Sequence, residues 1–392
     1  MHTRHPHTTL VGFLGILWCS VAVALTGCSS APAVDVATGA RVSVAAGMAR
    51  VDTTGYLRAE EVRPFVFPRD HGPHPDYAVE WWYYTGNLAD ASRNEYGYQF
   101  TVFRTGLPRS GVPHSGSKWR TDAVYMAHLA VTDVSKQRFV AHERFDRGAL
   151  GLAGAQAEPF RVWLDDWVVA SPDATGSQMH ITAKEGDITL DITLDATGPV
   201  VLQGDRGLSQ KSAQPGNASY YYSIPRMATT GTIRLGDTAV AVTGTSWMDR
   251  EWSTSALGPD QVGWDWFALH LNDGSDIMLY RLRNRDGMVD AYSGGTVRAS
   301  TGIVTRLHAN DISWTPQGTW LSPHTQARYP AAWQITIKPL SLTLTVTPSI
   351  ADQELPVTVR YWEGAVRVSA LQNERPIDGN GYLEMTGYAD VP

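Results

Sequence analysis

The chain repeats one pattern for most of its length: short runs in which apolar and polar residues alternate, each broken by Gly, Asp, Asn or Pro. LTLTVTP (residues 342–348) and ITLDITL (188–194) show it most cleanly, with Leu, Ile and Val on one side and Thr or Asp on the other. YGYQFTVFR, DAVYMAHLAVTD, GTIRLGDTAVAVTG, SDIMLYRLRNRDG and PVTVRYWEGAVRVSA carry the same period. Alternation with period two fits a strand with one face on a core and cannot hold an apolar stripe along a helix. The expected fold class is therefore all-β, built of antiparallel sandwiches or barrels. A chain of 392 residues has room for two such domains, each burying its own core.

An internal echo supports two domains. Glu80-Trp81-Trp82 opens an aromatic strand followed by one ending at Arg104, and Asp265-Trp266-Phe267 opens another followed by Tyr280 to Arg283. MAHLAVTD and FALHLNDG each set a histidine, His128 or His270, inside an apolar strand just before an Asp turn. The polar stretch SQKSAQPGNAS suggests the seam, giving a first domain over residues 59–225 and a second over 226–392.

The N-terminus reads differently. An apolar run from Leu10 to Leu25 follows a short head with Arg4 and reads as a secretion signal, too short for a comfortable membrane span. Its end, Leu25-Thr26-Gly27-Cys28, resembles the bacterial lipobox, which implies removal of residues 1–27 and lipidation of Cys28. Residues 28–58 then form a tether rich in Ala, Val, Gly, Ser and Thr. Ser29 after the cysteine points by the same resemblance to the periplasmic face of the outer membrane in a bacterial envelope. With Cys19 lost and Cys28 acylated, no thiol nucleophile is left. The net charge of −7, with no basic stripe, argues against nucleic acid as a partner.

Two dense clusters could carry chemistry. In the run DHGPHPDYAVEWWYYTGNL, strand alternation puts Glu80, Trp82 and Tyr84 on one face and Trp81 on the other. A carboxyl among rings can be held protonated and serve as an acid, or it can be a structural Glu paired with Arg104. His71, His74 and Asp76 have a spacing that could grip a metal, but stiff Pro-containing loops more often use histidines as hydrogen-bond partners, and no metal or other cofactor is expected. GTSWMDREWS places Asp249, Arg250 and Glu251 between Trp247 and Trp252, either as an acid site or as a salt-bridged strand end. No GxSxG elbow, HExxH, phosphate loop or dinucleotide fingerprint occurs.

Several blocks in order, FPRDHGPHPDYAVEWWYYTGNL, YGYQFTVFRTGL, AHLAVTD, GTSWMDREWS, WDWFALHLNDGSDIMLYRLR, YWEGAVRV and GNGYLEMTGY, resemble the AttH-like branch of the hydroxyneurosporene synthase (carotenoid hydratase) family. The resemblance implies two consecutive lipocalin-like β-barrels with an apolar pocket in or between them, and chemistry ranging from alkene hydration to shaping a polyene for cyclisation. The Asp-His-Asn-Trp run of the carotenoid hydratases matches Asp249-Arg250-Glu251-Trp252. Arg250 replaces the histidine, and a guanidinium beside Asp249 is expected to lower its pKa, which points to Glu80 or Asp265 as the acid, or to no catalysis.

The reading that follows is an envelope lipoprotein that holds an apolar small molecule or lipid in an aromatic-lined barrel pocket. Hydratase or isomerase chemistry would use Glu80, Asp249 or Asp265 as acid and His128 or His270 to order water. Trp81, Trp82, Tyr84, Trp247, Trp252, Trp264 and Trp266 would form the ligand-binding walls. The alternatives are a lipid carrier serving an envelope transporter and, third, a secreted hydrolase.

Overall fold

The structure, a computed structural model, describes residues 53–109, 117–254 and 257–389. The expected signal segment, the Cys28 lipidation site and most of the tether lie outside them. Within the described residues the regular structure is almost wholly antiparallel strand, organised as two nearly closed lipocalin-like barrels.

The first barrel comprises β1 (Val79–Ala89), β2 (Glu95–Gly106), β3 (Ala123–Asp133), β4 (Arg138–Arg147), β5 (Ala153–Gln156), β6 (Arg161–Leu164), β7 (Trp167–Ala170), β8 (Gln178–Glu185), β9 (Ile188–Ala196), β10 (Val201–Leu202), β11 (Leu208–Gln210), β12 (Ala218–Leu235) and β13 (Thr238–Ser253). Its path runs β4-β3-β2-β1-β13-β12-β9-β8-β7-β6-β5, with β10 and β11 edging β12. The second comprises β14 (Gln261–Leu271), β15 (Asp276–Asn284), β16 (Gly294–Arg298), β17 (Val304–His308), β18 (Ile312–Gln317), β21 (Ala332–Ile337), β22 (Leu342–Pro348), β23 (Trp362–Gln372) and β24 (Arg375–Met385), in the order β17-β16-β15-β14-β24-β23-β22-β21-β18. The short β19 (Trp320–Leu321) and β20 (Arg328–Tyr329) pair separately.

The duplication is visible in the pairing. In each barrel the first strand lies between the second and the last, and the first carries an inward acid opposite an arginine on the second: Glu80 faces Arg104, and Asp265 faces Arg281. The seam differs from the one expected at 225/226, which falls inside β12. β12 and β13 are joined by a tight turn at Gly236-Asp237, with Gly236 in the left-handed region (φ 73°), and together they close the first barrel against β1 and β9. The sheets divide between Ser253 and Gln261 instead, because SQKSAQPGNAS is only a short edge strand and turn beside β12.

Side chains fill the first barrel: Trp82, Tyr84, Tyr98, Phe100, Trp167 and Trp252 are all fully buried in one core. The segment before β1 plugs it, with Phe65 packed on Tyr222 and Trp252. Phe267, Trp333 and Trp362 anchor the core of the second barrel. The barrels meet along the outer faces of β1, β2 and β13 on one side and β14, β23 and β24 on the other. There Tyr83, Trp247, Trp266, Met278 and Tyr382 form a separate cluster. Alternation therefore fails on the inner half of β13, where all eight residues from Ser246 to Ser253 are buried. Gly97 allows this approach, since a Cβ there would stand 2.6 Å from the Tyr382 hydroxyl and 2.8 Å from the Ala365 Cβ.

Candidate active site

The period of two in GTSWMDREWS sorts one strand into two chemistries. Met248, Arg250 and Trp252 point into the first barrel, while Trp247, Asp249, Glu251 and Ser253 point toward the second. β1 does the same, sending Glu80, Trp82 and Tyr84 inward and Trp81 and Tyr83 outward.

On the inward side, Glu80 is enclosed by cations. Its carboxylate pairs with Arg250, lies 3.0 Å from the Arg104 guanidinium and accepts the His74 backbone N–H at 2.9 Å. Burial alone would raise its pKa, but Arg250, His74 and Arg104 overturn that and hold it at about 2. Arg250 lies 4.0 Å above the Trp82 ring and donates to the carbonyls of Gly72 (2.6 Å) and Trp81 (3.2 Å). The His74 ring stacks on Trp252 at 3.6 Å. Asp70 is likewise held at about 2, burial being outweighed by His74, the Val66 N–H and Arg63. This is the structural pairing of Glu80 with Arg104, enlarged, and it keeps Glu80 ionised and out of reach of the other side of the sheet. Trp82, Tyr84 and Trp252 belong to this packed interior. His71 bonds the Tyr222 hydroxyl at 2.6 Å, Asp76 is exposed, and no group of three or more His, Cys, Asp or Glu among the described residues is placed to hold a metal.

On the outward side, a cleft with a cavity of about 100 Å³ opens between the barrels. Trp81, Tyr83, Phe103, Trp264, Trp266 and Tyr280 supply much of its wall. Four acids reach it: Asp249 and Glu251 from β13, Glu363 from β23 and Glu384 from β24. Asp249, only 3% exposed, accepts hydrogen bonds from Tyr221 Oη (2.6 Å), Ser223 Oγ (2.5 Å) and Trp247 Nε1 (2.7 Å). Burial nevertheless pushes it up to about 7 against those donors, with the Glu251 charge adding to the rise. Burial pushes Glu384 up to about 8 against the Trp264 Nε1–H, which it accepts at 2.8 Å. Glu363 accepts the Tyr83 hydroxyl at 2.5 Å and is raised well above the ordinary carboxyl range by burial and by Glu384, its direct cross-strand neighbour. The one cation lining the cleft among the described residues, Lys211, is engaged by Glu251 at 3.1 Å.

The expectation that Arg250 lowers the pKa of Asp249 is thus reversed, because adjacent residues in a strand point to opposite faces. Asp265 faces the second barrel, bound by Arg281 (3.1 Å), Arg283 (3.5 Å) and the Tyr388 hydroxyl (2.8 Å), and does not line the cleft. Trp81, Trp264 and Trp266 line it, whereas Trp247 stands behind Asp249 and donates to it. His270 is tied to Asp276 at 2.9 Å and touches Trp247 with its ring, and His128 lies behind the cleft on Tyr361. Sequence reasoning passed over Glu363 and Glu384; the available signal was an acid in each of the apolar strands YWEGAVRV and GNGYLEM, with Tyr361 and Glu363 two apart on one face.

Fold and site together define a tandem lipocalin-like protein with an acid-bearing aromatic cleft between its barrels. The chain belongs to the AttH-like family, whose model matches residues 58–388. The crystal structure of an AttH-like protein of Nitrosomonas europaea is 33% identical, with a TM-score of 0.75 over 85% of this chain and 99% of that one. A kievitone hydratase of Fusarium solani subsp. phaseoli is 24% identical over 218 residues, 53% of this chain and 60% of that protein's length. The kievitone hydratase crystal structure from Nectria haematococca shares the fold at 17% identity, with a TM-score of 0.65 over 86% of this chain and 99% of that one. The chain is therefore an AttH-like protein with a hydratase among its relatives.

Proposed function

We propose that this protein is a cofactor-free acid catalyst that adds water to a carbon–carbon double bond of an apolar molecule held between its barrels. One observation carries the reading: Asp249, Glu363 and Glu384 line one aromatic cleft, where burial raises their pKa values above the ordinary carboxyl range. Protonating an isolated alkene needs such a neutral acid, an electron-rich wall for the resulting cation, and a water. Asp249 suits the donor role. With a pKa of about 7 it can both give up and regain a proton near neutrality, and once the proton has left, Tyr221, Ser223 and Trp247 already point donors at the carboxylate. The proton forms a C–H bond at one alkene carbon and the π pair is consumed. The cation on the other carbon faces Trp81, Trp266 and Tyr280. Water then forms the C–O bond, and its surplus proton returns to the carboxylate.

The test is incubation of the purified protein with prenylated phenols and linear polyenes in heavy-oxygen water, with product mass as the readout. Asp249→Asn should lower turnover by about 10²–10⁴-fold while quenching of tryptophan fluorescence by the ligand persists. Because the protonated form is active, turnover should fall as pH rises through about 7. Ligand binding without turnover in the unaltered protein would instead favour a carrier that passes an apolar molecule to an envelope transporter, and absence of both would defeat the proposal. Anchoring at Cys28 on the periplasmic face of the outer membrane is part of the same proposal, resting on the Leu25–Cys28 motif; a Cys28→Ser chain that still incorporates labelled fatty acid would refute it.

A further inference from the structure

A large apolar side chain exposed singly needs no account, but several gather at the end of the first barrel where β1 and β3 begin and β2 and β4 finish. Leu57, Trp119, Phe145 and Leu150 are 56%, 65%, 50% and 49% exposed there. Hydrogen bonds tie their segments together. Beside Leu57, the Tyr56 hydroxyl donates to the Leu107 carbonyl at 2.6 Å. Leu107 N–H donates at 2.9 Å to the carbonyl of Asp122, just after Trp119, and Gly148 N–H, between Phe145 and Leu150, donates at 3.0 Å to that of Ala123. Charges nearby are paired, Arg109 with Asp76 at 3.8 Å and Arg120 with Asp122 at 3.6 Å. What this rim offers a partner is therefore apolar area.

One row of cross-strand neighbours joins the rim to the cleft. Trp81 on β1 stands opposite Phe103 on β2, Phe103 opposite Met126 on β3, and Met126 opposite Phe145 on β4, where the sheet path ends. Directly opposed residues share a face, so the four form a single apolar row. It starts in the cleft wall, passes beside the cluster of Leu355, Val357 and Tyr361, and ends exposed at Phe145. The start of the described chain points to what covers the rim. It begins at Thr53, four positions before Leu57, and the tether before it starts at Cys28. At full extension a chain from 28 to 53 reaches at most about 90 Å, so an anchor at Cys28 brings a bilayer within range but sets no orientation. Indole and aliphatic side chains supply one, since both settle at the boundary of headgroups and acyl chains. We propose that the rim of Leu57, Trp119, Phe145 and Leu150 seats itself in the interfacial layer of a phospholipid bilayer, so that the row from Phe145 to Trp81 leads from the acyl chains into the cleft. The choice of a bilayer rests on the anchoring at Cys28 proposed above, and the use of the row rests on the apolar-ligand reading. With the charges paired, the attraction needs no anionic lipid.

Flotation with vesicles of pure phosphatidylcholine tests this on the chain from residue 29 onward, which has no acylated cysteine and keeps every described residue. The parent should float with the vesicles, and to the same extent when phosphatidylglycerol is mixed in. Trp119→Ser and Phe145→Ser should each weaken partitioning about tenfold, the transfer of one large apolar side chain, while the urea midpoint stays that of the parent. Met288→Ser and Ile303→Ser, at least as exposed but on the second barrel, should leave partitioning unchanged. A parent that stays in the buffer, rim variants that float as well as the parent, or an equal loss from the second-barrel variants would overturn the proposal. A dimer in sedimentation that Trp119→Ser dissolves would overturn it too, by making a second copy the occupant. Neither a silent alkene assay nor a Cys28 that is never acylated affects the flotation of this chain, so those failures are told apart from this one.

Discussion

Glu80 and Asp249 are both buried acids on paired strands, yet the fold sets them to opposite protonation states. Glu80 faces the interior of the first barrel with Arg250 and Arg104 around it and is held at about 2. Asp249 faces the cleft with neutral donors around it and rises to about 7. Burial raises both, so depth does not separate them; the presence of a guanidinium on the same face does. The comparison teaches that a sheet two residues wide in sequence can keep a permanent charge and a transferable proton apart by the thickness of one backbone.

The largest effect should come from breaking the inward side. Arg250→Met leaves Glu80 buried with a lost partner, a change that typically costs about 3–5 kcal/mol; Arg104, which remains, holds it to the lower end. Urea unfolding at neutral pH reads this out, and adding Glu80→Gln should recover a large part of the loss. A single variant as stable as the parent would show that the inward charge is not held as described.

The pH dependence of stability sharpens the contrast, because the two sides slope in opposite directions. Glu80 has its pKa lowered from 4.5 to about 2, so its contribution is complete above 4.5 and is lost as pH falls through about 2. Asp249, raised from 3.8 to about 7, and Glu384, raised from 4.5 to about 8, behave in reverse: folding takes up their protons, so stability is greatest below 3.8 and declines as pH rises through about 7 and 8. Asp249→Asn mimics the protonated acid. It should match the parent near pH 4 and exceed it above pH 7, by on the order of a few kcal/mol. A parallel pair of unfolding profiles across that range would mean that Asp249 keeps its ordinary pKa.

How far these two sides were legible follows from what alternation can carry. It identified the strand class and the shared face of Glu80, Trp82 and Tyr84, and it offered the Glu80–Arg104 pairing beside an acid role for Glu80, because each depends on residues within one hairpin. It did not reveal the state of Asp249 when Arg250 was treated as a neighbour in space as well as in sequence, although the same alternation separates them. For Glu363 and Glu384 the sequence offers only an acid within each of two apolar strands, and their place in the cleft is hidden for a different reason. Their burial comes from packing the two halves together, and the bond from Tyr83 to Glu363 spans 280 residues. The seam was misplaced because a polar stretch beside β12 looks like a linker, while the hairpin that follows it closes the first barrel.

The smallest effect belongs to a charge pair that has neither setting. Glu95 and Arg367 bridge the barrels with 53% and 56% of their side chains exposed. In that position water already solvates both groups, and salt screens what attraction is left, so the pair is expected to contribute within about 0.5 kcal/mol. Arg367→Gln should shift the urea midpoint barely, and by less still in high salt. A loss approaching that of Arg250→Met would mean that the barrels depend on this contact at their outer edge, and would move the origin of the cleft's rigidity away from the Tyr83, Trp266 and Tyr382 packing.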